Sequence, residues 1–257
     1  MSTKINSKTV LITGACKNTG LGIAEKYCKE KYTVYLTSRD KEDAESTARE
    51  LSDKYGVKVY GFALSADYNE EQIEAVFQKI DDNGDCVSVL VLNAANIGLG
   101  QEFYTVKMDD FKNVFQTNVF WNFLIVRSAA KRMKENGGGS IVFVTSNTAY
   151  RVIANRMAYE SSKGALLSLS RAIAFDLGKD KIRSNCVLPG MIKTDRWYNN
   201  VANQQNSLTA KTPIGDIADF EDIANAVYYF GSDLSKNTTG AELIVDGGNS
   251  IQLVPKV

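Results

Sequence analysis

Hydrophobic and polar positions fall into short apolar runs that alternate with longer stretches of helical spacing. Lys8–Thr13 (KTVLIT) is an apolar, β-branched run that stops at Gly14, which predicts a buried strand. Helical spacing follows over Leu21–Lys31, then a strand at Thr33–Thr37 and a charged amphipathic helix at Lys41–Tyr55. The alternation continues with strand Val57–Ala63, helix Glu70–Asp82, strand Val87–Leu92 and a long helix Met108–Glu135 closed by Gly137-Gly138-Gly139. Strand Ser140–Thr145, helix Met157–Leu177, strand Ile182–Leu188, helix Phe220–Phe230 and strand Ala241–Val245 complete it. Such alternation predicts βαβ units, hence an α/β fold built on a doubly wound, seven-stranded parallel sheet. Three prolines, no internal repeat and no linker make residues 1–257 read as one domain. The only long irregular stretch, residues 191–213, is polar, carries Trp197 and Tyr198, and reads as a lid over a substrate.

Charge and composition narrow the possibilities. Thirty basic and thirty acidic residues cancel, so no bulk basic surface argues for nucleic acid. The first eight residues are polar and no apolar run approaches the ~18 residues of a membrane span, so neither a secretory signal nor a transmembrane helix is expected. Cys16, Cys28, Cys86 and Cys186 are scattered without paired spacing, which predicts reduced thiols in a cytoplasmic protein. Histidine is absent, which removes Ser-His-Asp and Cys-His catalysis and every His-based metal site; no metal is expected. General acid–base work would fall to Tyr, Lys, Asp, Glu or Cys.

One candidate for that work is Tyr159, with Lys163 four residues on in the Met157–Leu177 helix and Ser146 thirteen residues upstream. Residues at i and i+4 share a helical face, so a phenol and an ammonium point the same way. Bringing a phenol from its ordinary ~10 close to 7 takes roughly 4 kcal/mol, and a neighbouring cation acts in that direction. A second candidate is Thr13-Gly14-Ala15-Cys16-Lys17-Asn18-Thr19-Gly20, where the first strand turns into the first helix. Small residues there allow close backbone approach, and the helix N-terminus favours an anion such as a pyrophosphate.

These stretches together resemble the short-chain dehydrogenase/reductase family. The turn is similar to its T-G-x-x-x-G-x-G, with Asn18 in place of the middle glycine; Asn tolerates the left-handed region that position needs. Leu92-Asn93-Ala94-Ala95 is similar to its N-N-A-G, lacking the first Asn. Ser146, Tyr159 and Lys163 match its catalytic Ser and Y-x-x-x-K, and Asn118 in the long helix matches the Asn that completes the tetrad. Pro189–Thr194 looks like its P-G-x-x-x-T, and Thr239–Gly248 like its T-G…V-D-G-G. The match covers nearly the whole chain.

The resemblance implies a single-domain Rossmann fold and an oxidoreductase moving hydride between a nicotinamide and a carbonyl or secondary alcohol. It implies that Tyr159 transfers the proton, Lys163 assists it and binds the nicotinamide ribose, Ser146 binds the substrate oxygen, and Asn118 holds a relay water. It implies cofactor contacts from Gly14, Cys16, Lys17, Asn18, Gly20 and Leu21 in the first turn, and from Asn93, Ala94, Ala95 and Thr145 after later strands. Pro189, Gly190, Ile192 and Thr194 join Tyr159 and Lys163 around the nicotinamide, with Asp67 beside the adenine. Ser38 stands where NAD-dependent members carry an acid and Arg39 follows it; with Lys17 this is the pattern of NADP(H) users, although Asp40 is a contrary sign. The substrate is open among 3-oxoacyl thioesters, hydroxysteroids or bile acids, and sugars or polyols; Tyr150, Arg151 and Arg156 lie in a segment that would line its site. An enoyl reductase is disfavoured by the short Tyr–Lys spacing, and a non-catalytic NADP-binding regulator by the complete tetrad. The apolar residues spread around the long helix and the Tyr159 helix, and the family's habit of pairing them, predict a homotetramer, with a homodimer as the smaller assembly.

Overall fold

A computed structural model describes residues 8–67, 69–198 and 209–252. Seven strands are present: β1 (Thr9–Ile12), β2 (Thr33–Ser38), β3 (Val59–Ala63), β4 (Val89–Leu92), β5 (Gly139–Val144), β6 (Ile182–Pro189) and β7 (Glu242–Val245). They form one sheet in the order β3-β2-β1-β4-β5-β6-β7, every pair parallel. Helices α1 (Asn18–Lys29), α2 (Lys41–Tyr55), α3 (Glu70–Asp82), α4 (Met108–Phe115), α5 (Trp121–Glu135), α6 (Met157–Leu177) and α7 (Phe220–Gly231) connect them.

Strand alternation divides the core in two. On β1, Val10 and Ile12 point to the face covered by α1, α2 and α7, whereas Leu11 points to the face covered by α3, α5 and α6. On β4, Val89 and Val91 join the first face and Leu90 and Leu92 the second. Both faces of the central strands are buried, so these strands read as unbroken apolar runs, which is why their type was visible in the sequence. The edge strands β3 and β7 are only partly buried.

The strand order reverses between β1 and β4. The carboxyl ends of these strands therefore diverge into the loops of a topological switch point, where open α/β sheets bind ligands. Strand ends shift by one or two residues from the sequence reading, and two helices differ more. Helix α1 starts at Asn18 rather than Leu21, because the Gly-rich turn runs directly into the helix. The long helix is interrupted: Gln116–Phe120 is a π-helical turn between α4 and α5, and the Trp121 N–H reaches the Gln116 carbonyl five residues back. Periodicity is blind to a single inserted residue in an otherwise continuous helix, and such π-bulges are frequent at functional sites.

Candidate active site

The turn after β1 is held by its neighbours on every side. Gly14 sits at φ 64°, and a Cβ there would lie 3.0 Å from Ala94, so only glycine lets the turn pack on the end of β4. A Cβ on Gly20 would come within 2.1 Å of the Gly14 carbonyl oxygen. Asn93 braces this arrangement: its side-chain amide donates to the carbonyls of Thr13 and Gly14 at 3.1 and 2.9 Å, and its own N–H donates to the Thr13 hydroxyl. Asn93 thus braces the turn from the end of β4. Asn18 stands at φ 49°, the conformation its position requires.

A cleft of about 760 Å³ opens over this turn. It is lined by Gly14, Cys16, Lys17, Asn18 and Gly20, by Ser38 and Arg39 after β2, by Asp67 after β3, and by Asn93, Ala94 and Ala95 after β4. Leu64, Ser65 and Ala66, Asp43 in α2, and Asn96 were not singled out from sequence, yet they line it too. The first three stand just past the carboxyl end of β3, and the rule placing ligands at strand ends would have found them. Leu21 lines a separate pocket with Phe220 of α7. Thr145 is buried with its hydroxyl on the Val187 carbonyl at 3.1 Å, which ties β5 to β6. Asp40 is withdrawn: its carboxylate accepts from the N–H groups of Glu42 and Asp43 and caps α2. Burial raises the Cys16 thiol, outweighing hydrogen bonds from Thr47 and Ser38, which fits a small filler in the turn.

Of the four tetrad residues, Tyr159 and Lys163 lie side by side on α6, Asn118 reaches α6 through Ser162, and Ser146 follows the carboxyl end of β5. Lys163 is 3 % exposed, donates from Nζ to the Val144 carbonyl at 2.9 Å, and lies 5.5 Å from the Tyr159 ring centroid. Burial lowers its pKa to about 8. Ser146 Oγ accepts from both the N–H and the hydroxyl of Thr148, at 3.2 and 2.9 Å, so its own proton is left to donate outward. Asn118 is fully buried in the π-turn. Its amide donates to the Asn96 carbonyl and Ser162 Oγ, its Oδ1 accepts from Asn96 N–H, and its own carbonyl accepts from the Asn122 side chain. Ser162 Oγ in turn donates to the Tyr159 carbonyl at 2.6 Å. Asn118 therefore braces the loop after β4 against α6, and only second lone pairs on its two oxygens remain for a water.

Two further motifs lie close by. Gly190, whose N–H donates to the Val245 carbonyl, packs so tightly that a Cβ would lie 2.5 Å from Asp246 Cβ. Burial would raise the Asp246 carboxyl, but hydrogen bonds from Ser250, Asn147 and Gly248 outweigh it and hold the pKa below its ordinary value. The Val-Asp-Gly-Gly run thereby fixes Asn147, next to Ser146. Ile192 and Thr194 lie beyond Gly190, where the Thr194 carbonyl accepts from the N–H groups of Trp197 and Tyr198 and starts a helical turn. The expected lid continues through residues 199–208, outside the described residues. Tyr150 donates to Glu242, Arg151 to the carbonyls of Ser250 and Gln252, and Arg156 to the Ile97 carbonyl at 3.0 Å. These side chains serve the protein's own backbone and the Glu242 carboxylate.

A family model described as Enoyl-(Acyl carrier protein) reductase matches residues 14–250. The 3-oxoacyl-acyl-carrier-protein reductase FabG of Aquifex aeolicus is 29% identical over 96% of this chain and 99% of its own. The chain belongs to the short-chain dehydrogenase/reductase family. Another family member, L-rhamnose 1-dehydrogenase (NAD(P)(+)) of Azotobacter vinelandii, is 30% identical over 96% of this chain and 98% of its own. A crystallised family member, a 7α-hydroxysteroid dehydrogenase complexed with NADH and 7-oxo glycochenodeoxycholic acid, superposes with a TM-score of 0.88. It is 30% identical, over 98% of this chain and 97% of that one. Among the described residues no helix is long and apolar enough to cross a membrane.

Proposed function

We propose that this short-chain dehydrogenase/reductase is an NADP(H)-dependent oxidoreductase interconverting a carbonyl and a secondary alcohol. The observation that carries the reading is the buried Lys163 ammonium held beside Tyr159, with Ser146 presenting a free hydroxyl proton. The cleft fits a dinucleotide: Gly14 and Gly20 leave no room for a Cβ where backbone must approach a pyrophosphate, and the α1 N-terminus supplies the favourable field. Lys17 and Arg39 line it with Ser38, whereas Asp40 is spent on capping α2, which supports a 2′-phosphate over a bare ribose. When bound, the nicotinamide supplies or takes the hydride.

Tyr159 gives the proton to the carbonyl oxygen in reduction and takes it from the alcohol in oxidation. The Lys163 ammonium, 5.5 Å from the centre of the Tyr159 ring, favours the phenolate over the phenol. Ser146 donates to the substrate oxygen as charge develops on it. Asn118 holds the loop and α6 in register, and a remaining lone pair takes the water that links Lys163 to solvent.

For the substrate, the segment between Ser146 and Tyr159 exposes Val152 (86 %) and Ile153 (56 %). Apolar side chains there suit a 3-oxoacyl thioester or a hydroxysteroid, as handled by relatives named above, better than a sugar or polyol. The Tyr159–Lys163 spacing supports carbonyl rather than enoyl reduction. The protein works as a cytoplasmic homotetramer. Tyr159→Phe should fold, bind NADPH and lose about 10²–10⁴-fold in turnover. Retention of more than about a tenth of the wild-type rate would remove Tyr159 from the proton step. Absence of turnover in the wild type across all three substrate classes would favour a non-catalytic NADP-binding regulator.

A further inference from the structure

The adenosine side of the cleft holds an acid that the cofactor reading leaves without a role. Asp43, in the first turn of α2, lines the cleft together with Lys17, Ser38 and Arg39. Its carboxylate stands 4.0 Å from Lys17 Nζ, with side-chain exposures of 74 % for Lys17 and 52 % for Asp43. Asp40, three residues earlier, has its charge absorbed by the α2 N–H groups, but Asp43 faces one of the two cations a 2′-phosphate would need.

A phosphate entering between Lys17 and Arg39 has to draw Lys17 away from Asp43 and then sit within the field of that carboxylate. A ribose 2′-hydroxyl meets no such opposition. The groups lie well inside a Debye length of about 8 Å, so salt only partly screens the repulsion. We propose that Asp43 is a specificity-determining residue that tempers the preference set by Lys17 and Arg39 and keeps the site open to both NAD(H) and NADP(H). This rests on the NADP(H) reading above.

Calorimetric titration of NADP+ and NAD+ into the wild type, Asp43→Asn and Arg39→Ala tests it without turnover. Asp43→Asn keeps size and removes charge, so the ratio of NADP+ to NAD+ affinity should rise about two- to fivefold, the range of an exposed charge pair. NAD+ affinity should stay close to wild type, which also reports that the variant is folded. Raising the salt concentration should shrink the gain. An unchanged or lower ratio in Asp43→Asn overturns the proposal. If Arg39→Ala weakens NADP+ binding while Asp43→Asn leaves the ratio unmoved, Asp43 has no such role and the NADP(H) reading stands. If the wild type binds only NAD+, the NADP(H) reading fails and the proposal, which needs both cofactors to bind, fails with it.

Discussion

Lys163 shows how one residue can serve chemistry at the expense of stability. Its pKa falls from 10.5 to about 8 because burial disfavours the charged form. In the cofactor-free protein at pH 7 both folded and unfolded chains carry this proton, and the folded state bears the cost of the buried ammonium. That cost is about 3 kcal/mol at most, offset by about 1 kcal/mol from the hydrogen bond to the Val144 carbonyl. Lys163→Met should therefore raise the melting temperature at pH 7 by about 4–8 °C while abolishing turnover. As pH climbs from about 8 toward 10.5 the folded wild type sheds the proton first, so wild-type stability rises and the advantage of the variant fades. Calorimetric melts at pH 7 and pH 10 measure this; a variant less stable at pH 7 would mean that the pair with Tyr159 already outweighs desolvation.

At the scale of elements, the turn from β1 into α1 depends on one substitution of the family pattern. Asn18 takes the left-handed conformation, and its side chain also exchanges two hydrogen bonds with Asp195, Nδ2 to Oδ2 and Asp195 N–H to Oδ1, both at 3.2 Å. Glycine could supply the conformation but not the clasp to the segment after β6. Asn18→Gly should accordingly retain NADPH binding, whereas Asn18→Val should weaken it about tenfold or more, since a β-branched residue resists that region at a cost of order 1–3 kcal/mol. Fluorescence titration with NADPH checks this, and equal affinities in the two variants would contradict it. The π-turn at Gln116–Phe120 is the other element-level device, because it sets Asn118 where its amide spans the loop after β4 and α6.

For the whole molecule, the decisive feature is the apolar surface left by a sheet covered on both faces. Of the residues that make the two long helices apolar on several sides, Val114, Val126, Leu166, Leu167 and Ile173 are buried within the chain. Phe120, Phe123 and Phe175 are 54 %, 45 % and 88 % exposed. Three such aromatics on helices rather than loops suit burial against other copies of the chain. Light scattering at micromolar concentration should return about four times the 28.3 kDa chain mass. A mass near one chain would refute the tetramer, and Phe175→Lys should lower the mass if that face is paired.

The sequence by itself determined the strand and helix order, since strands buried on both faces are written as continuous apolar runs and cannot be mistaken for amphipathic helices. It also offered the candidate tetrad positions and the glycines of the first turn, because these residue types at this spacing match one family in order along the chain. Tertiary structure alone decided which named residues touch the cleft. Asn93 lines it while bracing the turn, whereas Thr145 ties β5 to β6, Leu21 lines a separate pocket with Phe220 of α7, and Arg151 and Arg156 are spent on backbone carbonyls. It also brought in Asp43, which lines the same cleft with its carboxylate 4.0 Å from Lys17 Nζ. The reason is physical: residue type and period fix which face of an element is apolar, while the partner of a polar side chain depends on loops converging from strands far apart in sequence.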